Sequence, residues 1–527
     1  MWGPRSSRTL VIGTALAVFV IVCLLPVVYM LTLTVTTAAG QQSGFGALLL
    51  DARQRELLVN SAMLGAATAI VATLIGVPLG VALARIPLRR KAVVRLALAA
   101  PVLLPPYVAG LAWIYLGGSR GLIAAVAGRD LLSEWTYSLP GAVIVLSLVL
   151  YPLSMLATEV AMRRIDGRLE EAALLVAAPG RVLRRITLPL AAPSILAAAL
   201  VIFVLAVSEF GVPALLRVRV YTSEVFTAFA ALYDFGRATL LALPLLLLSL
   251  VVAASAGALA GDRLLVTRRG AGGRPLLLEA WRRPAATAVI LVVAIALVIP
   301  LLVLGREALG VRSFADVVGG SREAIINSLV FAATGATAVA GLAVWIGYAR
   351  ARAPSRLGQL ADVLMVVLFA LPSTVVGVGL IGLWNRSGPL GAVYGTDVMI
   401  LLAYLARLVP VAALALAASV RLVPVSQEEA AAVSGAGWFR TMTHIVFPQI
   451  RLGLLAAWTV AFILAFGELG ATILVAPPGE ATLPIRIYTI IANTPSSQVA
   501  ALALLQTAVI LAPLAVLGLA VSLRESG

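Results

Sequence analysis

Uncharged stretches recur along this chain at 57–84, 96–119, 238–261, 324–349 and 487–523. Each meets or exceeds the roughly 20 apolar residues that cross a bilayer as a helix. With 61% hydrophobic residues, 12% charged residues and a mean hydropathy of +1.06, a soluble core cannot hide so much apolar surface. The fold class expected is an all-α polytopic membrane protein. Barrels are excluded, because their strands alternate in segments of roughly 10 residues.

Composition removes several functions. Cys23 is the one cysteine and His444 the one histidine, so neither an internal disulfide nor a thiolate or imidazole metal cluster can form. Lys91 is the one lysine and Ala92 follows it, so the G-x-x-x-x-G-K-[ST] loop that cradles nucleotide phosphates is absent. The chain is expected to bind no cofactor and to have no ATPase site, and no nucleophile, base and metal grouping suggests a membrane-embedded enzyme. The net charge of +16 has to be sorted by side before it can imply a nucleic acid.

The apolar run from 9 to 36, preceded by Arg5 and Arg8, is too long for the h-region of a cleaved signal peptide. It reads as a first membrane helix, with Thr37-Ala38-Ala39 the competing cleavage site. Helices follow near 57–84, 95–117, 137–160, 190–208 and 238–260. A glycine- and arginine-rich linker occupies 261–284, and six more helices lie near 285–305, 324–349, 359–384, 398–420, 453–474 and 499–523. With the N-terminus inside, 26 of the 39 basic residues fall on the cytoplasmic side and 13 outside. This bias supports that orientation, places both termini in the cytoplasm and leaves no surplus asking for nucleic acid.

The two halves repeat. Asn60-Ser61 recurs as Asn327-Ser328, Pro105 as Pro372 and Gly110 as Gly377, all at an offset of 267. After a shorter loop the offset is 258, with Pro152 answered by Pro410 and Glu171 by Glu429, and Glu209 is answered by Glu468 at 259. Units 1–260 and 285–527 therefore form a parallel repeat about an axis along the membrane normal, which encloses a central path.

Between the fourth and fifth helices of each unit lies a polar island, at 161–189 and 421–450. The first reads Glu170-Glu171-Ala172-Ala173 and closes at Leu188-Pro189; the second reads Glu428-Glu429-Ala430-Ala431 and closes at Phe447-Pro448. Ser426 and Glu429 have the spacing of a capping box, with Gly435 and Gly437 as helix stops. In the first island the helix dipole favours Glu170 and Glu171 in the opening turn, and Pro179-Gly180 is expected to end the run.

Glu-Ala-Ala, a later glycine and a closing hydrophobic-proline pair, found twice, resemble the loop of the permease subunits of binding-protein-dependent ABC importers. The resemblance covers nearly the whole chain as two fused permease units of the type I fold. It implies that each island is a coupling helix docking into a cytoplasmic ATPase, present in two copies and carrying ATP and Mg, while a periplasmic or surface-anchored binding protein delivers cargo at the bacterial cytoplasmic membrane. The ATPase-coupling residues would be Glu170, Glu171, Ala172, Ala173, Gly180, Glu428, Glu429, Ala430, Ala431 and Gly435. The first island departs from the pattern, since Ala177 stands where glycine is expected. Fusion into one chain, with Glu209-Phe210-Gly211 and the stretch from Tyr233-Asp234 to Ala238, looks most like the ferric-iron group; thiamine, polyamine and phosphonate permeases are the alternatives.

Glu209, Glu468, Arg407, Pro105, Pro372, Gly110 and Gly377 are the candidates to line the path. Ionisable groups at membrane depth are costly and so functional by default. Hydrogen bonding to a neighbouring helix competes with that role for the two glutamates. For Arg407, whose counterpart is Val149, snorkelling or pairing with an acid competes. Pro105, Pro106 and Pro372 break helices whose freed carbonyls can line a path, or only shape packing. An ion-coupled secondary transporter would use Glu209 and Glu468 as carriers, but leaves the islands unexplained. Alkaline phosphatase, active only when exported, is expected to be inactive when fused within 261–284 and active when fused within 118–136; the reverse pattern would invert the topology.

Overall fold

The computed structural model describes residues 4–40, 52–232, 235–261, 278–353 and 355–526. Tyr233, Asp234 and most of the expected linker lie outside them. Each of the twelve expected positions carries helix. Among the described residues, ten helices are long and apolar enough to cross a membrane, and an eleventh results if a bent pair at the ninth position counts as one span. The sixth position holds the shorter apolar stretch Gly236–Val252.

Close packing of the second helix on the fourth organises each half. In the first half, Ala52–Arg85 crosses Leu139–Arg163. A Cβ on Gly76 would stand 2.6 Å from the Tyr151 carbonyl oxygen, and one on Gly80 2.5 Å from that of Met155. In the second half, Arg322–Ala351 meets Val398–Arg421, and a Cβ on Gly347 would lie 2.9 Å from the Ala413 carbonyl. Gly80 and Gly347 share the repeat offset of 267, and Gly76 is answered by Ala343. Small residues four apart let two backbones touch, which is what holds helices together where no hydrophobic drive operates between them.

The compact units are not the sequential halves. One unit joins the first helix and Glu224–Leu247 to Ser321–Arg486; the other joins Leu248–Gly320 and Ile487–Gly527 to Leu50–Ser223. In the first of these, Cys23 Sγ donates to the Leu405 carbonyl at 3.6 Å and the Arg386 guanidinium lies 4.2 Å from the Tyr29 ring. In the other, the seventh helix and Ser496–Ser526 pack on the third: Tyr107 hydrogen-bonds Gln506, and Tyr115 donates to the Ser496 carbonyl at 3.3 Å. Each unit thus takes its flanking helices from the other half of the sequence.

The third and ninth helices are broken rather than kinked. Pro105 and Pro372 hold extended backbone, at ψ 128° and 139°, just before the helices Pro106–Gly117 and Ser373–Trp384. The ninth position turns by 95° at its break. A residue before proline is pushed out of the α region and proline lacks an N–H, so Leu104-Pro105-Pro106 and Leu371-Pro372 cannot continue a helix. Leu104, Pro105, Leu371 and Pro372 are buried, the condition under which irregular backbone survives at membrane depth.

Among the described residues, four π turns, at Val20–Leu24, Leu183–Thr187, Ala294–Val298 and Met442–Val446, each stand two residues before a proline: Pro26, Pro189, Pro300 and Pro448. The proline ring clashes with the carbonyl four residues back, and widening the turn there removes the conflict. Proline alone does not force it, since Pro152 and Pro410 sit inside helices without a π turn.

Gly379 approaches the first helix so closely that a Cβ would lie 2.9 Å from the Pro26 carbonyl oxygen, whereas at Gly110 the nearest atom, on Val212, is 3.6 Å away. Gly379→Val is expected to lower stability by about 1–3 kcal/mol through overpacking, and Gly110→Ala, where a Cβ has room, to raise it by up to about 1 kcal/mol through helix propensity. Denaturation of the detergent-solubilised variants measures both.

Candidate functional site

The first island opens with the helix Gly167–Leu174, whose N-cap Asp166 accepts from the Arg168 N–H at 3.1 Å. Glu170 lies in its first turn as expected, and is fully buried, while Glu171 and Ala172 are exposed. Past the helix end, Leu175 and Val176 stand 86% and 85% exposed. Gly180 does not stop this helix. It belongs to the next short helix, Pro179–Val182, because Pro179 suits a first helical position.

The second island helix is Val425–Val433. Its N-cap is Pro424, with no side-chain cap, so the expected capping box between Ser426 and Glu429 does not form. Ser426 already lies inside the first turn, because the helix begins two residues earlier than that box requires. The far end fits expectation: Gly435 takes φ +79°, and the Ala436 N–H reaches the Ala431 carbonyl at 2.9 Å, a Schellman closure. The first island closes differently, with Ala177 N–H bonding the Ala173 carbonyl at 3.0 Å. Ala177 has no positive φ, so an alanine fits where the second island needs glycine. Glu429 and Ala430 are exposed, Ala431 is half-buried, and Val433 is 90% exposed.

An arginine that the motifs did not point to ties each island helix to its unit. Arg85, at the end of the second helix, donates to Glu170 Oε1 at 2.9 Å and to the Met162 carbonyl at 2.8 Å. Thr187 donates to the same carboxylate oxygen at 2.8 Å. Arg352, just past the end of the eighth helix, donates to Glu428 Oε1 through Nε at 2.9 Å and to the Val423 carbonyl at 3.0 Å, and Tyr348 donates to Glu428 Oε2 at 2.8 Å. Side-chain exposure is 3% and 0% for the first pair, and 11% and 14% for the second. Arg85 and Arg352 share the offset of 267 that the helices obey, the one signal that could have found them.

A second ionic bridge stands beside each island. Glu159 holds Arg95 and Arg163, both at 2.7 Å, and Asp362 holds Arg350 and, at 3.8 Å, Arg421. Positions 95 and 362 are repeat-related, yet one is arginine and the other aspartate. Burial, and then the Arg163 charge, hold the Lys91 amine below its usual range.

The path candidates separate. Glu209 and Glu468 stand just past the ends of the fifth and eleventh helices. Glu209 accepts from the Gly211 N–H at 2.9 Å. Glu468, buried, accepts from the Ala471 and Thr472 N–H groups at 2.9 and 2.8 Å and pairs with Arg407 at 2.8 Å. The two acids therefore cap the short helices that follow them, and Arg407 and Glu468 are one ion pair. Gly377 packs against Leu474, whose side chain would lie 2.8 Å from an added Cβ. His444 is exposed and contacts Thr443 and the Arg440 carbonyl. Among the described residues no three His, Cys, Asp or Glu side chains form a group able to hold a metal.

Residues 76–263 and 339–523 each match the family described as binding-protein-dependent transport system inner membrane component, and each match contains one island. The chain is similar to an Fe(3+)-transport system permease protein of Haemophilus influenzae, 24% identical over 452 residues, covering 84% of this chain and 85% of that one. It is also similar to a ferric transport system permease protein of Actinobacillus pleuropneumoniae, 23% identical over 446 residues, covering 79% of this chain and 64% of the relative. A molybdenum transport system permease protein of Mycobacterium bovis is 32% identical over 168 residues, covering 32% of this chain and 63% of that one.

Removing one partner of a buried ion pair leaves the other charge unpaired in a medium that cannot hydrate it, a loss of about 3–5 kcal/mol. Arg85→Ala is expected to destabilise the purified chain by that amount. Arg352→Ala costs less, because water reaches the second pair. Thermal denaturation in detergent ranks the two; equal losses would contradict the difference in burial.

Proposed function

Because the chain belongs to the family of binding-protein-dependent transport system inner membrane components, a family of multi-pass ABC permeases, we propose that it forms the whole membrane path of an ATP-driven importer for ferric iron. The observation that carries the cargo reading is the reach of the two ferric permeases, whose similarity runs through both repeats rather than one. The molybdenum permease matches about one unit's length, which makes molybdenum the second reading of the cargo.

In this reading the islands are coupling helices. Exposed Glu171 and Glu429 are the charged contacts to two copies of a cytoplasmic ATPase, and Leu175, Val176 and Val433 are the apolar ones. This chain binds no cofactor, and ATP and Mg are held by the ATPase pair. Closing that pair around ATP draws the coupling helices together and rocks the units from inward-open to outward-open. A binding protein outside then releases its cargo, and hydrolysis resets the cycle. Both termini are cytoplasmic in this arrangement.

The path needs no tight site of its own, because the binding protein carries the selectivity. Arg407 and Glu468, as a neutral pair, keep a charge from standing alone beside the path, at a depth where an isolated charge is costly. Glu209, the repeat-related counterpart of Glu468, is the path candidate of the other unit.

The test is reconstitution in vesicles with the ATPase and the binding protein. Uptake of radioactive ferric iron supports the reading, and uptake of molybdate alone replaces its cargo. The double variant Glu171→Ala/Glu429→Ala is expected to lose at least tenfold in uptake and to release the ATPase on washing. Full uptake with normal ATP hydrolysis in that variant would remove the coupling role.

A further inference from the structure

Glu170 and Glu428 precede the exposed glutamates by one residue and point the other way, into the unit. That orientation separates two tasks within one short helix: the outer glutamate is exposed on the island's surface, while the inner one is held by the second helix of its own half. The holding is bidentate in function, since each arginine grips both the island carboxylate and a carbonyl at the end of the fourth helix, Met162 in one half and Val423 in the other. Three elements are therefore pinned at one guanidinium.

The surroundings of the two carboxylates meet one requirement by two different means. Each carboxylate also accepts from a hydroxyl, but the hydroxyl comes from a different element. In the first half it is Thr187, at the entrance to the fifth helix; the repeat-related position there, at offset 259, is Val446. In the second half it is Tyr348, on the eighth helix; the repeat-related position, at offset 267, is Val81. Both valines are buried. Where one half has valine at the matching position, a hydroxyl on a neighbouring element meets the carboxylate instead, so both carboxylates are satisfied from different elements. A buried carboxylate gripped by arginine and hydroxyl together leaves little freedom to rotate.

We propose that Arg85–Glu170 and Arg352–Glu428 are positioning pairs that make each island helix and the second helix of its half move as one rigid lever, so that displacement of the island by the ATPase is carried along the membrane-spanning helix. This deepens the importer reading and rests on it. The arginines touch neither ATPase nor cargo; they act through the glutamates. The second lever is further braced by Trp438, packed edge-on to Tyr348 with ring centroids 6.2 Å apart, and by the Arg8 guanidinium 5.8 Å from the Tyr348 ring.

The experiment uses the full chain with its ATPase in nanodiscs and a readout that does not depend on cargo. In a Cys23→Ser background, nitroxides are placed at Val59→Cys and Ile326→Cys, exposed positions near the ends of the second and eighth helices remote from the islands. Their separation is measured by pulsed dipolar spectroscopy with and without ATP and vanadate. The lever predicts a nucleotide-dependent shift in the parent that Arg85→Ala/Arg352→Ala reduces by at least half, with the ATPase still co-purifying and its basal hydrolysis within about twofold. The charge-exchanged Arg352→Glu/Glu428→Arg, in which the second pair is reversed and the first left native, should keep most of the shift, whereas Arg352→Glu alone should not. An undiminished shift in the double alanine variant overturns the lever, as does loss of ATPase co-purification from it, which would reduce the pairs to shaping the docking surface. Failure of the parent chain to co-purify with the ATPase overturns the importer reading itself, and the lever with it.

Discussion

Backbone-to-backbone contact between the second and fourth helices is the interaction on which the rest of each half depends. At Gly76, Gly80 and Gly347 no side chain separates the helices, and the neighbouring carbonyl oxygens occupy the space where a Cβ would be. Such contact fixes both the spacing and the rotation of the pair, because sliding by one residue would drive a side chain into backbone. Ser147 Oγ, donating to the Thr68 carbonyl at 3.4 Å, marks the same seam. The second helix thereby delivers Arg85 or Arg352 to the same place beside the end of the fourth, where an island begins. Precision at the islands is inherited from glycines inside the membrane.

Around that seam the two halves keep positions while exchanging residue types. The hydroxyl beside the island carboxylate moves from the fifth helix to the second. Near the start of the third helix, position 95 is an arginine paired with Glu159, whereas the matching position 362 is an aspartate paired with Arg350 from a different site. The Ala177 and Gly435 turns close the same helix by a right-handed and a left-handed route. In each case a physical requirement is constant, a satisfied carboxylate, a neutralised charge or a closed helix end, and the residue meeting it is not. Arg407 fits this pattern from the other side: Glu468 has an arginine partner, while Glu209 caps its helix where the matching position is Val149.

The apolar runs, the repeat and both islands were legible from residues alone, because membrane spans are set by length and charge and because Glu-Ala-Ala stands out against apolar sequence. The breaks at Pro105 and Pro372 were legible as positions but not as a 95° turn, which depends on how Ser373–Trp384 is enclosed. Ser426 and Glu429 have correct capping-box spacing, and the box failed because Pro424 starts the helix earlier. Gly180 looked like a stop and follows one. Arg85 and Arg352 read as ordinary positive-inside residues; only their shared offset distinguished them. The exchange of flanking helices was beyond the sequence, since hydropathy orders helices along the chain and says nothing about which neighbours they choose.

That exchange bears on the order in which the molecule can be made. Ala52–Arg85 and Leu139–Arg163 enter the membrane well before Ser496–Ser526 is made, so the surface of Pro106–Gly117 that receives that helix stays uncovered until then. The first helix waits for Ser373–Trp384 and Val398–Arg421 before Pro26 and Cys23 meet their partners. Nascent intermediates therefore hold two sets of unpaired helix faces for most of translation, with only lipid to cover them. Having both halves in one polypeptide keeps each waiting face near the helix that will fill it, at a local concentration that two separately made chains would have to reach by diffusion in the bilayer.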